Sequence, residues 1–96
     1  MNDVRKLDEE IRRGQEAERL LSHPLLAEAF ATLEAHMVGQ LRSIPLTDAG
    51  LERESVRTLQ VLHKVKDHIR QIVLTGQMAE EQKESMAKRV LRAVRG

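Results

Sequence analysis

Apolar residues return at intervals of three and four along most of the chain, the period that lines one face of an α-helix. The longest such run lies between Thr47 and Thr75, where Leu51, Ser55, Leu59, Leu62, Val65, Ile69, Ile72 and Val73 share one stripe. Arg53, Arg57, Lys64, Lys66 and Arg70 fall mostly off it, so one side of this segment must be buried against something. Thr47 or Asp48 can accept from the free N–H groups of the first turn, and Glu52 and Glu54 stand near the positive end of the helix dipole. Gly76 supplies a residue that tolerates a left-handed C-cap. The spacing therefore predicts a helix over 48–75, about 28 residues or roughly 42 Å long at 1.5 Å per residue.

The same reading divides the remainder of the chain. Residues 3–21 form a first helix, with Asn2 or Asp3 as N-cap and Val4, Leu7, Ile11, Ala17 or Glu18, and Leu21 on its apolar stripe. Gly14 falls on that stripe, where a glycine is either a weak spot costing about 1 kcal/mol relative to alanine or a point where a neighbouring helix comes close. At Ser22-His23-Pro24 the proline bars the preceding residue from helical geometry and suits the first turn of a new helix. A second helix over 23–42 carries Leu26, Phe30, Leu33, Met37 and Leu41 on one stripe, with Ala27, Ala29, Ala31 and Ala35 beside it. Pro45 ends that element, and the short connector of residues 43–47 implies an antiparallel pairing of the second and third helices. After Gly76 a fourth helix over 77–94 has a thinner stripe of Met78, Met86, Val90, Leu91 and Val94. Its acidic residues precede its basic ones, in the order that a helix dipole favours, and residues 85–96 read as a mobile basic tail.

Composition narrows the function. In 96 residues there is one aromatic side chain, Phe30, so the core must be aliphatic and thin. With 32% of residues charged and a formal net charge of +1, the surface is of mixed sign and unlike that of a dedicated polyanion binder. The absence of cysteine excludes disulfides, thiolate chemistry and Cys-ligated zinc. No window reaches the roughly 18 apolar residues of a membrane span, and the first residues lack the apolar core of a secretory signal. A soluble protein with no membrane association is the expectation.

Candidate chemistry is sparse. His63 and Asp67 are spaced i, i+4, but no Ser or Cys nucleophile, phosphate loop or second acid belongs beside them, so the pair reads as a surface hydrogen bond. His63 and His68 stand five apart on different flanks, and Glu28 and Glu34 lie at the wrong separation from His36 for the Glu-x-x-His of a carboxylate-bridged metal centre. No enzyme, metal or cofactor is expected. Lys88, Arg89, Arg92 and Arg95 could contact phosphates, dock with Leu91 and Val94 into a protein groove, or form a solvated helix end; no aromatic residue is near for base stacking. Met78 and Met86 suit an adaptable contact surface.

Arg13-Gly14, Ala17, Leu20-Leu21, Pro24-Leu25, Phe30, Leu33, Pro45, Asp48-Ala49, Arg53-Glu54, Leu62, Ile69 and Thr75-Gly76-Gln77-Met78-Ala79 form a series running from Arg13 to Gln82. In this series the chain resembles a group of small proteins of tailed bacteriophages and prophages encoded near portal, capsid and packaging genes. These are structural positions without a catalytic signature. Where that group usually has an aromatic residue late in the second helix, this chain has Leu41. The resemblance implies a phage setting in the host cytoplasm or the virion, with a role in head assembly or DNA packaging argued from gene company.

The expected fold is all-α: an antiparallel helical hairpin of residues 22–42 and 48–75 with flanking N- and C-terminal helices, in a single domain that joins an oligomeric bundle. The expected function is that of a non-enzymatic interaction protein, with Leu33, Met37, Leu59, Leu62, Val65 and Ile69 in the core or the subunit contact and phage structural or host proteins as partners. The alternatives are a nucleic-acid-binding packaging accessory that uses Lys88, Arg89, Arg92 and Arg95, and a phage inhibitor that docks on a host protein.

Overall fold

A computed structural model describes residues 2–95, and the described residues are all-helical outside two short breaks. The helices are α1 (Asn2–Ser22), α2 (Pro24–Ser43) and α3 (Ala49–Arg95). Both breaks are set by proline. His23 and Ile44, each followed by proline, take extended backbone at φ −69°, ψ 123° and φ −71°, ψ 129°. The clash between a proline ring and the residue before it closes the helical region at these two positions and leaves the rest of the chain free to coil.

The helix ends are capped locally. The His23 Nδ1 accepts from the Leu25 amide at 3.2 Å, and the His23 carbonyl receives the Ala27 amide at 3.0 Å. Histidine as the N-cap of α2 was not legible in the pattern. At α3, the Asp48 Oδ1 accepts from the Leu51 amide at 3.0 Å, while the Asp48 amide turns back to the Pro45 carbonyl at 2.9 Å. Asp48→Ala is expected to cost about 1 kcal/mol, measured by urea unfolding at fixed protein concentration. An unchanged midpoint would mean that this cap is dispensable. The N-cap expected at Asn2 rests on a side chain outside the described residues, and Asp3 lies inside α1.

The boundary expected at Gly76 is absent. α3 runs unbroken for 47 residues, and no glycine among the described residues has positive φ, so Gly76 is helix interior and not a C-cap. The two helices predicted over 48–75 and 77–94 are therefore one. Unlike the two prolines, a glycine permits a left-handed turn without imposing it, and Gln77, Ala79, Glu80, Glu81 and Gln82 that follow are all good helix formers.

The described chain forms two compact units. In the first, α1 as far as Leu20 packs on α3 from Ile69 onward. The two helices run antiparallel: Asp8 receives an ion pair from Lys83, Glu10 and Gly14 lie against Gly76, and Gly14 lies over Ile72. The buried residues here are small apart from one, namely Leu7, Gly14, Ala17, Gly76 and Ala79. A Cβ built on Gly14 would stand 2.9 Å from the Gly76 Cα and 3.3 Å from the Ile72 carbonyl oxygen. A Cβ on Gly76 would stand 2.9 Å from both the Gly14 Cα and the Glu10 carbonyl oxygen. The relation is reciprocal, since each glycine aims a Cα–H at the carbonyl four residues before the other, a geometry that supports weak C–H···O contacts between closely packed helices. Of the two readings of Gly14 offered by its place on the stripe, close approach is the one found.

The second unit is Leu21–His68, in which α2 lies on the first part of α3. Phe30 meets Lys66, and Glu34 meets His63. Ser55 is the buried residue of this unit, and α2 contains none over its 20 residues.

Candidate protein-interaction surface

The contacts of the second unit fix which side of each helix faces the other. The His63 Nε2 lies 3.4 Å from the Glu34 Oε1, and the Lys66 Nζ lies 5.7 Å from the centroid of the Phe30 ring. Lys66, four residues after Leu62 and three before Ile69, lies on the apolar stripe despite its charge; it is half-buried, and its ammonium rests over the ring face. Both polar pairs join α2 to α3 yet remain solvated, so each contributes only a few tenths of a kcal/mol. They set register more than stability.

Five of the six residues expected in the core or subunit contact lie in this unit. Leu33 and Val65 are about half exposed, at 51% and 49%. Met37, Leu59 and Leu62 are half-buried. Ile69, also half-buried, belongs to the first unit. None of the six is enclosed by the chain itself. Leu25, Val61 and Leu51 are likewise exposed in the second unit, as are Leu74 and Met78 in the first.

Of the four basic residues proposed for phosphate contact, Lys88 lies 3.6 Å from Glu84, and Arg89, Arg92 and Arg95 are exposed along the last turns of α3. At 3.6 residues per turn the four basic side chains occupy one side of this segment and Val90, Leu91 and Val94 the other, and these three apolar residues are also exposed. The helix continues to Arg95. At the other end of the same unit Arg12 bridges Glu9 and Glu16, and its hydrogen bond holds the Glu9 carboxyl below the usual carboxylate range. All three side chains are solvated, so the network decorates the outer face of α1 without anchoring it.

Among the described residues no group of three or more His, Asp or Glu side chains converges as a metal ion would require, and no helix is long and apolar enough to cross a membrane. A depression along one side of α3 is lined by Ala49, Glu52, Arg53, Val56, Arg57 and Gln60, all from that single helix, and holds no nucleophile or histidine. No protein-family model matches the chain, and neither does any curated protein or solved structure.

Proposed function

We propose that this chain is a non-enzymatic helical interaction protein that works as a homo-oligomer, its antiparallel helical hairpin repeated in a bundle. One observation carries the reading: the expected core residues Leu33 and Val65 stand about half in water, and the helix that bears Leu33 buries no residue at all. Aliphatic surface left in water at roughly 25 cal/mol per Å² is a standing incentive to associate, and the obvious cover is protein. The residues shared with the phage group supply the setting, which is head assembly or DNA packaging in an infected cell. A host protein as the docking target is the variant of the same reading in which the cover is foreign.

Light scattering across a concentration series, followed by pull-down of the tagged chain from phage-infected cells, tests both halves. The expected result is a mass of two or more chains at micromolar concentration, with portal, capsid or packaging proteins retained on the tagged chain. A single-chain mass at every concentration with no partner captured would overturn the reading.

A further inference from the structure

We propose that the last turns of α3 bind the phosphate backbone of a nucleic-acid duplex, through the face formed by Lys88, Arg89, Arg92 and Arg95. The inference is independent of self-association. At about 100° per residue these four exposed side chains fall within a sector of roughly 120°, and from Ser85 to Arg95 there is no acidic residue. Ile72 and Gly76, which meet Gly14 of α1, lie on the opposite side of the helix, so α1 does not shade the basic sector. Two carboxylates come near it. Glu84 borders the sector and lies 3.6 Å from Lys88, and Glu81 shares its side but stands seven residues, about 10 Å, before Lys88.

The fold adds to this charge what the sequence keeps apart. In the first unit α1 and α3 run antiparallel, in a register that sets Asp8 against Lys83 and Gly14 against Gly76, so the start of α1 lies beside the end of α3. Arg5 and Lys6 therefore stand at about the level of Ser85 and raise the positive potential there. Of the acids at this end, Asp3, Asp8 and Glu84, the last two lie against Lys83 and Lys88. Among the described residues no ion pair engages Arg5, Lys6, Arg89, Arg92 or Arg95. The remainder of the unit, residues 9–20 and 69–82, carries six acidic and four basic side chains, so the positive charge is confined to one end. A row of cations fits a row of phosphates, and the planar fork of arginine pairs with phosphate through two hydrogen bonds. The single aromatic residue of the chain, Phe30, belongs to the second unit and lies against Lys66. No base can be stacked at this end, which favours a duplex held by its backbone over a single strand. A bilayer would have to take the apolar side, Val90 and Val94, and that is the side on which α1 stands.

The test titrates a fluorescent DNA duplex of about 25 base pairs and arbitrary sequence with the full chain, followed by anisotropy. The expected result is binding at about 50 mM salt that weakens on the order of 100-fold by about 200 mM, because four phosphate contacts give a slope of about −3.6 in log affinity against log salt. Arg89→Gln, Arg92→Gln and Arg95→Gln combined should leave a slope of about −1 and lower affinity at least about tenfold at the lower salt. Helical circular dichroism should be unchanged in that variant, since all three side chains are exposed. Arg5→Gln with Lys6→Gln should cost about threefold by lowering the local potential, whereas Arg13→Gln with Arg19→Gln, at the other end of the unit, should stay nearer to the parent. Absence of duplex binding at the lower salt, a triple variant that binds like the parent, or equal losses from the two double variants would overturn the proposal. So would tighter binding to the same sequence as a single strand, to vesicles containing phosphatidylserine, or to polyglutamate, each of which assigns the basic face to a different partner.

Discussion

Replacing Gly14 or Gly76 with leucine is expected to destabilise this protein more than any other single substitution, by about 3 kcal/mol or more at fixed concentration. The atoms that the new side chain would meet are backbone: the Gly76 Cα at 2.9 Å from a Cβ on Gly14, and the Glu10 carbonyl oxygen at 2.9 Å from a Cβ on Gly76. Backbone cannot rotate aside as a side chain can, so α1 must lift away from α3 and leave Leu7, Ala17 and Ala79 in water. Alanine poses the finer question. It gains about 1 kcal/mol of helix propensity over glycine but must still separate the two helices, at roughly 1–3 kcal/mol, so Gly14→Ala and Gly76→Ala should lose on balance. Gly39 is the internal control. Nothing stands within 4 Å of a Cβ built there, so Gly39→Ala should raise stability by up to about 1 kcal/mol. Urea unfolding followed by circular dichroism measures all of these. If Gly14→Leu were as stable as the parent, or if Gly39→Ala and Gly14→Ala shifted the midpoint in the same direction by the same amount, the glycine contact would have no structural importance.

Leu7→Ala is expected to follow, with a loss of about 2–3 kcal/mol. Leu7 is 5% exposed, and the other buried apolar residues, Ala17 and Ala79, have only a methyl group to lose. The first unit is built around close backbone contact, so truncating its one large enclosed side chain leaves a gap that the small residues around it cannot fill. Leu46, 99% exposed in the connector, is the comparison: the same truncation there should stay within about 0.5 kcal/mol of the parent. A Leu7→Ala variant that melts with the parent at matched concentration would show that this helix contact is marginal in solution. Concentration must be matched because association adds its own stability by mass action.

The two glycines and the two prolines explain why some of this architecture is legible in the residues and some is not. Pro24 and Pro45 act on the residue before them through covalent geometry, and both breaks fall where the sequence predicts them. Asp48 likewise acts within its own turn, as one of the two caps expected for α3. The apolar stripe over Leu59, Leu62 and Val65 follows from helical period alone. Gly76 is different, because its local chemistry is compatible with either a cap or a continuing helix, and the chain continues. What occupies its open side is Gly14, from the other end of the sequence, and the contact is visible only once α1 and α3 are brought together. Lys66 shows the same limit, since a cation finds cover on Phe30 only because α2 lies beside it.

The sequence by itself determined where the prolines break the helix, which sides of the helices are greasy, and that most of the chain coils, because those properties arise within a few residues of each other. Only the tertiary structure decided that α3 is one helix, that two glycines form the close contact of the first unit, and that Leu33 and Val65 remain half exposed after the chain has folded. Burial depends on which surface comes to cover a side chain, and that surface is supplied by residues remote in sequence or by another molecule.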